Sequence, residues 1–143
     1  MHERAPPSRF AAHGLTVARM EDGLLQVEAT GPFNLEGMQL LARTMVEGYR
    51  GLPPGTPVVN VCAMHGTLIY TPDAWAALGD VIRATRDSGV RVLATVWIVG
   101  REVEGAALLL PRARGLFAEN GRRFEVFSER APAERWARDV LAR

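Results

Sequence analysis

The 143-residue chain has no lysine, one cysteine, and no apolar run near the roughly 18 residues that a membrane-spanning helix requires. One cysteine excludes an internal disulfide and a cysteine-based zinc cluster. All 17 basic residues are arginines, scattered along the chain, and they nearly balance the 16 acidic ones. A net charge of +1 leaves no electrostatic footprint for nucleic acid or an anionic membrane. Phosphate-binding loops, dinucleotide fingerprints, internal repeats and low-complexity blocks are missing. His2, His13 and His65 have no partner at ligand spacing, so no metal and no cofactor are expected. A signal-peptide pattern is also lacking, and the chain reads as soluble and cytoplasmic.

What is present is an ordinary globular composition, 48% hydrophobic and 23% charged. The length fits one domain. Residues 1–14, "MHERAPPSRFAAHG", are polar and proline-bearing and read as a loose tail before a single domain over 15–143. β-Prone runs at 15–21 and 24–30 flank Asp22-Gly23, a hairpin signal. Helical periodicity follows from Asn34, an N-cap, and stops at "GLPPG" (51–55). Strands at 57–64, 91–100 and 122–128 then alternate with helices at 71–89, 102–121 and 131–143. Pro111 is expected to kink or split the third helix.

The order β-β-α-β-α-β-α-β-α implies an α/β fold. Its sheet is mainly parallel, about five strands wide, with an antiparallel hairpin strand at one edge. Right-handed crossovers between neighbouring strands put the helices mostly on one face. Period-2 reading turns Val27, Ala29, Val59, Val61, Ala63, Val92, Val96, Ile98, Phe124 and Val126 toward those helices. The alternate set includes Gln26, Glu28, Asn60 and Glu125, which implies a half-exposed second face. On it Met64, Trp97 and Phe127 form an apolar patch, a surface for a partner or a homodimer unless the N-terminal tail lies across it.

The order, and the strand–loop–helix stretch "VVNVCAMHGTLIYTPDAWAAL", resemble the SpoIIAA-like superfamily over residues 15–143. That group holds the STAS domains of anti-sigma factor antagonists and small bacterial proteins. The resemblance implies a non-enzymatic signalling scaffold that works through protein–protein interaction. Those antagonists carry Asp-Ser-Ser-Gly at the helix start, where a serine is phosphorylated. Here "YTPD" stands there: Thr71 falls on the first serine, Pro72 on the second, and Asp73 on the glycine.

Tyr70, Thr71, Pro72, Asp73 and Trp75 are therefore the candidate interaction edge, with Thr71 as the candidate phosphosite. The bland reading is a helix cap: threonine at the N-cap, proline at the first turn, aspartate at the positive end of the dipole. Two other function classes stay open. One is a binder of a small anionic ligand at the gathered helix starts, or of an apolar one in a groove near Pro111. The other is a thiol-dependent enzyme using Cys62 and His65, which needs a turn to fold the imidazole back onto the thiol. Glu102 and Glu104 in "VGREVEG" also suit acid–base work, although acidic residues in a first helical turn commonly serve the dipole.

Overall fold

A computed structural model describes residues 11–143. The strands are β1 (Leu15–Glu21), β2 (Leu24–Thr30), β3 (Pro57–His65), β4 (Arg91–Val99) and β5 (Phe124–Phe127). The helices are α1 (Leu35–Gly48), α2 (Pro72–Arg86), α3 (Ala106–Glu119) and α4 (Arg130–Ala142). The five strands lie in sequence order, β1-β2-β3-β4-β5. β1 runs antiparallel to β2, and every other pairing is parallel.

Helices α1, α2 and α3 each connect neighbouring strands, so the handedness of crossovers drives all three to one face. α4 follows the last strand and closes no crossover. That rule does not bind it, and it packs on the opposite face against β3, β4 and β5. There Ala133, Ala137 and Val140 meet Leu24, Val59, Val61, Ala63, Val96 and Ile98. Among the described residues, what covers the second face is this helix, over β3, β4 and β5. Residues 1–10, part of the expected tail, lie outside the described residues. Ala11 and His13 are tied down: Asn34 Nδ2 donates to the Ala11 carbonyl at 2.9 Å, and the His13 N–H donates to Asn34 Oδ1 at 2.8 Å.

The facing of five strand residues, Val59, Val61, Ala63, Val96 and Ile98, corrects the period-2 reading. Val59, Val61 and Ala63 point at α4, while Asn60, Cys62 and Met64 point at the three-helix side. With both faces of β3 buried, alternation carries no signal there. β4 adds a second cause. Val58 pairs with Val92 and Val59 with Ala94, which leaves Leu93 as an extra residue. Such a bulge flips the parity of everything beyond it. Trp97 therefore turns inward, 4% exposed, edge-on to Phe117 and Phe124 with centroids 5.8 and 5.2 Å away. Met64 is buried on that same side. Phe127 lies on the other face beside Trp136. Met64, Trp97 and Phe127 form no common patch.

The three-helix side holds a polar chain within its apolar core. Tyr49 Oη donates to Asn60 Oδ1 at 2.6 Å, and Asn60 Nδ2 reaches Thr95 Oγ1 at 3.5 Å. Arg122 donates to Thr95 Oγ1 at 3.1 Å, Thr85 Oγ1 at 3.2 Å and the Ile82 carbonyl at 3.4 Å. Ile82 and Thr85 belong to the last turns of α2, so the buried guanidinium sits at the negative end of that helix. This explains a buried arginine with no carboxylate beside it among the described residues. Burial lowers its proton affinity, and the chain of acceptors keeps it hydrogen-bonded.

α3 begins at Ala106, four residues later than its sequence pattern suggests, because 101–105 form turns that bury Val103. Pro111 splits nothing. It lies on the exposed side of one continuous helix.

Candidate functional site

The loops after β2, β3 and β4 meet at the carboxyl end of the parallel strands, where α/β folds place their sites. Here the loops are bonded to one another. The Leu68 N–H donates to the Glu104 carbonyl at 2.8 Å, and the Glu104 N–H to the Gly66 carbonyl at 3.1 Å. These bonds flank a parallel bridge between Thr67 and Glu104. The Gly31 N–H donates to the His65 carbonyl at 3.0 Å. Gly66, at φ +78°, allows this closeness; a Cβ there would stand 2.8 Å from the Gly31 carbonyl oxygen. Below the loops, Tyr70 stacks on Trp75 at 5.1 Å and meets Phe33 edge-on at 5.3 Å. Trp75 Nε1 donates to the Leu68 carbonyl at 3.1 Å, fixing the loop from beneath.

The result is a braced platform with two large apolar side chains on top. Ile69 is 53% exposed and Leu108, in the first turn of α3, is 80% exposed. Gly105 joins the two regions: at φ +80° it turns the chain into α3, and a Cβ there would lie 2.9 Å from Ile69 Cγ1. Beside Leu108 an open notch of about 530 Å³ is lined by Val99, Val103 and Leu110. Arg101, Glu102, Glu104, Arg112, Thr71 and Asp73, on the same loops and helix starts, are exposed.

Of the residues expected at this edge, Thr71, Pro72 and Asp73 are exposed, whereas Tyr70 and Trp75 are buried supports. The Tyr70 hydroxyl is buried without a hydrogen-bond partner among the described residues, and burial, with a smaller push from Cys62, holds it firmly protonated. Thr71 is the N-cap of α2 by position, yet its hydroxyl makes no capping bond. The helix-cap reading is thus corrected for the threonine side chain. Asp73 Oδ1 instead accepts the Ala74 N–H at 2.9 Å, placing the chain's own carboxylate where an anion would bind. At α1 the Gly37 N–H is likewise occupied, by Asn34 Oδ1 at 2.8 Å. At α3 the N-cap is Gly105, and no side chain caps that start.

Cys62 and His65 are not brought together. Three residues apart on one strand, they project from opposite faces. Cys62 is buried under α1 and α2, and its thiol is pushed up to about 12 by burial, with the Arg122 charge opposing and Glu28 adding slightly. His65 lies on the second face, with Nε2 2.8 Å from Glu28 Oε1. The other Glu28 oxygen accepts from Arg130 at 2.7 Å, and Arg130 also reaches Gln26 Oε1 at 3.1 Å. Partial burial would raise the Glu28 carboxyl, but the bonds from His65 and Arg130 outweigh it and lower the pKa. That carboxylate stays ionised and engaged, which suits an ion-pair network better than a proton donor. Among the described residues no group of three or more His, Cys, Asp or Glu is placed to hold a metal ion, and no helix is long and apolar enough to cross a membrane.

Sequence reasoning missed Ile69 and Leu108. A signal existed for Leu108: the triplet Leu108-Leu109-Leu110 cannot all face inward on a surface helix, so one leucine must face water. Ile69 sits in a loop, where no periodicity applies. The chain matches no family model, no curated protein and no solved structure.

Proposed function

We propose that this chain is a non-enzymatic regulatory or interaction domain, similar in element order to STAS-type signalling proteins, and that it docks a protein partner on the braced loop platform. The observation carrying this reading is the exposed pair Ile69, on the loop after β3, and Leu108, in the first turn of α3 just past the loop residue Glu104 that is bridged to Thr67. An apolar centre with a charged rim is the anatomy of a protein interface. Rigidity lowers the ordering cost of binding. The notch beside Leu108 offers a receptacle for one side chain of the partner. Thr71 stands on the rim with a free hydroxyl, where a phosphate would change the charge facing the partner.

The test is binding by a cross-linked and then purified partner, reconstituted with wild-type protein and with Leu108→Asp and Ile69→Asp. Both substitutions lie at exposed positions, so the fold is retained, and each should weaken a one-to-one complex by at least about tenfold. A complex indifferent to both changes contradicts the reading.

The notch also supports a second reading, a small apolar ligand seated among Val99, Val103 and Leu110. A ligand would shift the thermal midpoint in the absence of any protein partner. Leu110→Ala would remove that shift.

A further inference from the structure

β1 is the edge of the sheet, and among the described residues its outer side carries no strand. It is seven residues long, without proline, and two of its side chains, Leu15 and Val17, are 64% and 57% exposed. Such an edge turns every second N–H and C=O outward, a template for another strand. Leu15, Val17, Arg19 and Glu21 pair with Thr30, Glu28, Gln26 and Leu24, so they share the half of the second face that α4 leaves open.

We infer that this edge receives a second copy of the same chain, β1 pairing antiparallel with its counterpart about a two-fold axis at Ala18. In that register all seven residues find partners: Thr16 faces Met20, and Val17 lies against the aliphatic stem of Arg19 in the other copy. Two Val17 side chains meet diagonally across the axis. Arg19 keeps its charge compensated by Glu21 of its own strand, 2.8 Å away.

The helix above the edge is what selects a copy of this chain over a foreign strand. Ala18, Arg43, Thr44, Glu47 and Gly48 line one notch of about 400 Å³ beside β1. Arg43 and Glu47, one turn apart on α1, are both exposed on that side. Arg43 has no ion pair among the described residues, while Glu47 holds Arg50 at 2.8 Å. A two-fold axis at Ala18 sets the two α1 helices antiparallel. Arg43 of each copy then faces Glu47 of the other, and the opposite charges match reciprocally. A strand from an unrelated protein would gain the backbone bonds but not this pairing.

Sedimentation equilibrium on the full chain tests the seam. The wild type should show twice the 15.6 kDa chain mass at micromolar to submillimolar concentration. Val17→Glu and Arg43→Glu should each raise the dissociation constant by on the order of tenfold or more, with unchanged circular dichroism. The double variant Arg43→Glu with Glu47→Arg should return to within about threefold of wild type, because reciprocal pairs survive an exchange of sign. A monomeric wild type overturns the inference. So does a dimer indifferent to both single changes, or a double variant that stays as weak as Arg43→Glu. None of these residues touches Ile69 or Leu108, so failure here leaves the loop platform standing, and the reverse also holds.

Discussion

The two faces of the sheet carry polar residues in opposite senses. On the three-helix face, Asn60, Thr95 and Arg122 are buried and bonded to one another. On the other face, Glu28 and His65 are near water, paired beside Arg130, the first residue of α4. A polar residue in a strand therefore does not announce an exposed face. It announces a need for partners, which either water or a buried network can meet.

The largest expected effect comes from charging the first face at its centre. Trp97→Glu should abolish cooperative unfolding or cost more than about 4 kcal/mol, because it strands a carboxylate beneath α3. Denaturant titration would measure it; a folded, merely monomeric variant would mean that Trp97 lies on the surface. Asn60→Ala comes next. It leaves the buried Tyr49 hydroxyl without its acceptor, at about 2–3 kcal/mol. A cost near zero would mean that water reaches the network.

These two sites also mark what the sequence could and could not disclose. Helices and strands were legible from end to end, since turn residues and apolar periodicity agree along the chain; hairpin and helix boundaries shifted by only a few residues, most at α3. Facing was not legible on β3 and β4. Both sides of β3 are apolar, and Leu93 inserts an unpaired residue that no pattern reveals. Asn60 looked like a surface residue because its two partners, Tyr49 just past α1 and Thr95 on β4, are far apart along the chain. At the candidate site, "YTPD" was correctly placed at a helix start on the loop edge. Which of its side chains face outward depended on the aromatic stack of Phe33, Tyr70 and Trp75, a tertiary fact.

The two helix starts sharpen the contrast at smaller scale. Asn34 accepts from Gly37 and His13, while the Thr71 hydroxyl caps nothing. Asn34→Ala should cost about 1–2 kcal/mol and Thr71→Ala no more than about 0.5. Equal costs would show that Thr71 caps α2 in solution. The smallest effect belongs to Glu28. Its carboxyl is lowered below the ordinary 4.5, so its contribution is present above that value and fades as pH falls through the depressed folded one. The pair is half exposed to solvent, so Glu28→Gln should change stability by under about 0.5 kcal/mol, with the difference vanishing in high salt.

We propose that this chain acts through a surface rather than through a thiol. The most direct test is the rate at which Cys62 reacts with a disulfide reagent as denaturant is raised. Reaction should be negligible in native buffer and should rise only with global unfolding, since the thiol is buried and pushed up to about 12. Rapid stoichiometric labelling of the native protein would contradict the account and return Cys62 to the position of a nucleophile.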